Sequence, residues 1–136
     1  MRILGIDPGE KRIGLAISDD LGIAANPLGV ILHTSRQADV ESILKIASDS
    51  GVERIVIGQS LDDDGNLTPS ARKAIRLADE IRLLTDIPVV MVDEYGSTNE
   101  AQSAAIEMGI PRGRRKGHRD AIAALIILQR YLDSTT

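Results

Sequence analysis

Three acidic residues fall where a carboxylate needs a reason to be. Asp7 closes the apolar run at residues 2–6 (RILGI). Glu94 follows the apolar run at 88–92, and Asp120 stands between the densest basic run and the apolar stretch 121–128. A buried carboxylate without a partner is costly, so each must be paired, bound to a cation or open to water. Singly, each has a plain explanation: Asp7 as a turn former before Pro8-Gly9, Asp120 as a helix cap or dipole partner, Glu94 as a surface charge. Jointly, three carboxylates at element ends that are able to converge point to a site for a hard cation. The chain has no cysteine and only two isolated histidines, His33 and His118. Oxygen donors of this kind favour Mg²⁺ or Mn²⁺ over Zn²⁺. The chemistry implied is phosphoryl transfer to water, in which paired ions roughly 3.5–4 Å apart serve the attacking and leaving oxygens of a phosphodiester.

The charge distribution suits such a substrate better than the total does. Lys and Arg number 16 against 20 Asp and Glu, a net charge of −4. Residues 112–119 nevertheless read RGRRKGHR, with no acid among them. A local basic loop can hold a phosphate backbone on a protein of negative total charge, although a solvated loop is the ordinary reading of such a run. Stacking on aromatic rings is nearly excluded, since Tyr95 and Tyr131 are the only aromatics. His33 reads as structural and His118 as a phosphate contact. No dinucleotide G-x-G-x-x-G or P-loop pattern is present. Asp62, Asp63 and Asp64 match a calcium loop only in charge, so they read as a solvated loop with a role in placing substrate left open.

Elements must position these groups. Residues 2–6 and 12–18 flank Pro8-Gly9 as two strands of a hairpin, and a third strand is expected over about 27–32. A helix over 37–50, closed by Gly51, precedes a buried strand at 53–58. Thr68 and Pro69 have the form of an N-cap followed by proline in the first turn, opening a second helix that continues to Leu84. A strand at 87–92 follows, then a helix opened by the capping-box pair Ser97 and Glu100 and ending at Gly109. Asp120 is read as opening the last helix. The order predicts one α/β domain over residues 1–136: a five-stranded mixed sheet, an antiparallel meander of three strands and then two parallel strands, with helices on both faces. No apolar run reaches the length of a membrane span and no leader pattern precedes residue 2, so a cytoplasmic protein is expected.

Four blocks carry a family resemblance: GIDPGEKRIGLAISD at 5–19, VIGQSLDDDGN at 56–66, VDEYGST at 92–98 and RDAIAALIILQRYLD at 119–133. In this order and across essentially the whole chain they resemble the YqgF/RuvX-type nucleases. The resemblance implies a ribonuclease H-like fold in which Asp7, Glu94 and Asp120 are the metal-binding catalytic acids. It implies action on the 5′ end of pre-16S ribosomal RNA, or on a Holliday junction, as the family is also described. Two departures stand out. Tyr95 and Gly96 follow Glu94 where the family pattern has Arg, although Ser97 and Thr98 are kept as candidates for placing substrate. Gln59-Ser60 replaces Leu-Pro in the second block.

The expected function is therefore a Mg²⁺- or Mn²⁺-dependent nuclease acting on structured nucleic acid. Lys11, Arg12, Arg114, Arg115, Lys116 and Arg119 are the expected backbone contacts. Pre-ribosomal RNA is the favoured partner, with ribosomal particles a further one, and either a monomer or a homodimer fits. A dimeric resolvase of branched DNA is the nearest alternative, since two symmetric nicks need two sites. A nucleic-acid-binding module without turnover is another. An actin-like or sugar-kinase domain, suggested by GIDPG, would need a second such domain to enclose a nucleotide.

Overall fold

A computed structural model describes residues 1–93 and 112–135, with side chains described outside 112–120. The elements are β1 (Ile3–Pro8), β2 (Arg12–Ser18), β3 (Ala25–Leu32), α1 (Arg36–Asp49), β4 (Arg54–Gln59), α2 (Pro69–Leu84), β5 (Val89–Asp93) and α3 (Arg112–Ser134). The strands form one sheet in the order β3-β2-β1-β4-β5. β1 pairs antiparallel with β2 and β2 with β3, whereas β4 is parallel to both β1 and β5. The mixed sheet expected from the element order is the sheet observed. β3 begins two residues earlier than read from sequence. Pro27 lies inside it, tolerated because β3 is an edge strand with one side free of ladder bonds.

Alternation along β1 divides the core. Leu4 and Ile6 face α1 and α2, where they pack with Val40, Ile43, Leu77 and Ile81. Ile3 faces the other way, into a second cluster with Val56, Ile127, Leu128 and Leu132 beneath α3. Both faces of the sheet are covered, as parallel strands require. The helix starts follow their caps. The Ser35 Oγ accepts from the Ala38 N–H at 3.1 Å, and the Thr68 Oγ1 accepts from the Ala71 N–H at 3.1 Å. Gly51, at a φ of +67°, ends α1 in the left-handed conformation that only glycine adopts cheaply.

One expectation is corrected. The basic run is not a loop, and Asp120 does not open a helix: α3 begins at Arg112, so Asp120 lies in its third turn. The density of charge argued for a solvated loop. The residues of the run are mostly Arg and Lys, good helix formers, and the strongly apolar stretch after them supplies a packed helix that propagates backwards at little further cost. The expected helix between Ser97 and Gly109 lies outside the described residues.

Candidate active site

β1 carries Asp7 to the carboxyl edge of the sheet, opposite Gly14 of β2. Asp7 is half-buried and on the same sheet face as Ile3 and Gly5, the face covered by α3. Gly5 is where that helix comes closest. A Cβ built on it would lie 2.7 Å from the Leu128 Cβ and 3.2 Å from the Ala124 carbonyl oxygen. Only a residue without a side chain lets α3 settle at this height.

The direction of α3 follows from bonds at its far end. The Arg54 guanidinium donates to the Tyr131 hydroxyl at 2.8 Å, and Arg54 is the partner of Ile3 in the β1–β4 ladder. The Gln129 Oε1 accepts from the Ala25 N–H at 2.9 Å, and Ala25 pairs with Ser18 at the same end of the sheet. The C-terminal half of α3 therefore lies over the start of β1, and its N-terminal half points toward Asp7. From Gly5 to Asp7 is two strand residues, roughly 6.6 Å. From Ala124 back to Asp120 is four helical residues, roughly 6 Å, along the row Asp120, Ala124, Leu128 that shares one helix face. The backbone register thus brings the positions of Asp7 and Asp120 to the same edge, although they are 113 residues apart in sequence (120 minus 7).

Of the other expected site residues, Lys11 is exposed and Arg12 half-buried in the β1–β2 hairpin. That hairpin is tight: the Gly9 N–H donates to the Arg12 carbonyl at 2.9 Å, and a Cβ on Gly9 would come within 2.3 Å of the same oxygen. The backbones of Arg114, Arg115, Lys116 and Arg119 lie on the first turns of α3, ahead of Asp120. Glu94, Ser97 and Thr98 lie outside the described residues, directly after β5 in the sequence. Among the described residues no three His, Asp or Glu side chains form a metal-binding group. Two of the three expected ligand side chains, those of Glu94 and Asp120, are not among them. The expected donor set Asp7, Glu94 and Asp120 is all oxygen, and Asp7 is at a half-buried strand end rather than inside the core. Both features suit a hard divalent ion.

The acidic loop after β4 folds on itself. The Asp62 Oδ1 accepts from the N–H groups of Asp64 and Asn66 at 3.0 and 2.8 Å, and the Thr68 hydroxyl donates to the Ser60 carbonyl at 2.8 Å. Sequence reasoning missed one constellation. The His33 Nδ1 is hydrogen-bonded to the Oδ2 of Asp39, which is only 3% exposed. A signal for it exists: Asp39 falls on the apolar row of α1 with Val40, Ile43 and Ala47, and an acid there must have a partner.

The fold defines the class: an α/β domain of the ribonuclease H-like kind found in junction resolvases. The RuvC protein of Thermus thermophilus in complex with a Holliday junction substrate superposes with a TM-score of 0.64 at 17% identity, over 99% of this chain and 95% of that one. The Fowlpox virus resolvase bound to Holliday junction DNA gives 0.62 at 13% identity, over 99% of each chain. At such identities the likeness speaks for the fold. Sequence comparison goes further: residues 1–134 match the family described as "RuvX: Holliday junction resolvase", and the chain belongs to that family of nucleases, hydrolases of phosphodiester bonds. Relatives from Syntrophus aciditrophicus and Halothermothrix orenii both bear the description "Putative pre-16S rRNA nuclease". The first is 41% identical over 98% of this chain and 89% of its own length, the second 42% identical over 98% and 95%.

Proposed function

We propose that residues 1–136 act as a single nuclease domain that hydrolyses phosphodiester bonds in structured RNA, with the 5′ end of pre-16S ribosomal RNA as substrate. The observation that carries this reading is the opposition of β1 and α3, in which Gly5 against Ala124 sets the positions of Asp7 and Asp120 at one edge of the sheet. Glu94, next after Asp93 in the sequence, would complete an acidic set with Asp7 of β1 and Asp120 of α3. These three carboxylates would hold Mg²⁺ or Mn²⁺, which when bound lowers the pKa of a coordinated water and stabilises charge on phosphate oxygens. The chain's own groups do the rest. Lys11 and Arg12 on the hairpin, and Arg114, Arg115, Lys116 and Arg119 on the start of α3, hold the backbone on either side of Asp7 through charge. Arg115 or Arg119 takes the place of the cation that Tyr95 displaces after Glu94, and Ser97 and Thr98 place the substrate. The working compartment is the cytoplasm, where ribosomal precursors are found. Among the described residues no helix is long and apolar enough to cross a membrane.

The direct test is cleavage of a precursor RNA carrying the 5′ extension, with Mg²⁺ or Mn²⁺, by the wild type and by Asp7→Asn. The wild type should cut, and the variant should retain its fold while losing cleavage by two orders of magnitude or more. Undiminished cleavage would refute the assignment of Asp7. A second reading, resolution of four-way DNA junctions, draws on the likeness to the resolvase structures. It requires a dimer with two matched sites. A strict monomer by sedimentation that cuts RNA and leaves junctions intact eliminates it. Salt-sensitive binding without cleavage under any divalent ion would instead mark a binding module.

A further inference from the structure

On the sheet face opposite α3, a cleft of about 260 Å³ opens where the β1–β2 hairpin meets the starts of α1 and α2. Pro8 and Gly9, the residues after Asp7, form part of its lining, so it adjoins the candidate active site around the sheet edge. Its wall holds His33, Arg36 and Lys73. The His33 ring is oriented from behind: with Nδ1 committed to the buried Asp39 carboxylate, Nε2 is the nitrogen available to a ligand. The charge of Asp39 is spent on that ring and on the Thr34 N–H, 3.4 Å away. Lys73 is exposed and makes no ion pair among the described residues, and Arg36 reaches only Glu80, at 3.3 Å on the surface. A surface pair of that kind is weak enough to be exchanged for a phosphate. Glu10 is the remaining carboxylate in the lining and is exposed on the hairpin. Ser35, the N-cap of α1, and Ser70, in the first turn of α2, also line the cleft, so two helix N-termini add partial positive charge beside the Arg36 and Lys73 cations.

We propose that this cleft is a second phosphate subsite, which takes a backbone phosphate of the nucleic-acid strand some nucleotides away from the one that reacts. The inference rests on the nucleic-acid reading above and adds His33, Arg36 and Lys73 to the binding surface. Lys11 and Arg12 on the hairpin bridge the two sites: the Lys11 carbonyl accepts from the His33 N–H at 2.9 Å, which joins the hairpin to the cleft wall. A strand held at Asp7 and crossing the hairpin would bring its next phosphates to this cleft. Buried Ile13 and Leu77 give the cleft an apolar part suited to a sugar rather than a second charge.

The test measures binding separately from cleavage. A labelled precursor RNA is titrated by anisotropy, over a series of salt concentrations, with Asp7→Asn protein and with the same protein carrying Lys73→Gln, Arg36→Gln or both. Each added substitution should weaken binding about threefold or more, and the salt slope should fall by about 0.7 for each phosphate no longer neutralised. In the otherwise wild-type protein the double substitution should raise KM and leave kcat nearly unchanged, since no reacting atom is touched. Both side chains are partly or fully exposed, so thermal melts should coincide with the parent's. Unchanged affinity and slope in the double variant would overturn the proposal. So would calorimetric binding of a free nucleoside monophosphate that depends on Lys73 while RNA affinity does not. A wild type that binds RNA with this dependence yet cuts nothing would refute the nuclease reading while supporting the subsite.

Discussion

Gly5 of β1 and Leu128 of α3 meet with no space for a methyl group between them, a Cβ at Gly5 falling 2.7 Å from that of Leu128. Neither partner can swing away, because the second close atom is the Ala124 carbonyl oxygen in the helix backbone. This approach fixes how near α3 lies to the sheet and, through the strand and helix repeats, how near Asp120 lies to Asp7. Gly5→Ala should therefore destabilise the protein by about 1–3 kcal/mol through overpacking. It should also lower cleavage at temperatures where the variant is fully folded, by lifting α3 off β1. Urea denaturation and cleavage on one preparation check both effects.

The His33–Asp39 pair makes a separate prediction. Among the described residues, His33→Ala leaves an almost wholly buried carboxylate with only the distant Thr34 N–H as partner. The expected cost is about 1–3 kcal/mol, toward the lower end because the His33 side chain is 43% exposed and its removal admits water. The double variant His33→Ala/Asp39→Ala should lose less than the sum of the two single losses. Strict additivity in a denaturation cycle would show that the two side chains do not depend on each other.

Asp19 supplies the pH dependence. The backbone N–H of Ile23, with those of Ala24 and Gly22, holds its carboxyl below the ordinary aspartate value. A folded-state pKa lower than the unfolded one gives stability that is present above the unfolded value of about 3.9 and is lost as the pH falls through the folded one. Asp19→Asn should therefore lower stability at neutral pH and flatten the acid limb, the two proteins converging as the pH falls below the folded-state value. NMR titration of the carboxyl should find it below 3.8.

Thr68 has two roles: it caps α2, and its hydroxyl donates to the Ser60 carbonyl. Thr68→Ala should cost about 1 kcal/mol, within the ordinary range for removal of an N-cap. It should also speed amide exchange in residues 60–67 more than in α1, whose own cap at Ser35 is untouched.

Much of this arrangement is legible in the chain because local rules and the global fold agree. Thr68-Pro69 and Gly51 mark helix ends by backbone geometry alone, and the apolar alternation of β1 and β2 places their faces correctly. The basic run misleads because a run of like charges is ordinarily a solvated loop, whereas the packed helix that follows decides the outcome. The cleft is hidden for another reason. It joins residues 8–13, 33–39 and 70–77, and no spacing along the chain encodes that meeting. Only Asp39, an acid on an apolar helix row, points to it. The grouping of Asp7 with Asp120 becomes a matter of geometry once Gly5 locates α3.

The most direct measurement is a crystal structure of the wild-type protein soaked in Mn²⁺, read by the anomalous signal of the metal. Manganese should appear at the carboxyl edge of β1, with oxygens of Asp7, Glu94 and Asp120 around it. Manganese absent from that edge, or the three carboxylates facing separate surfaces, would contradict the proposed site.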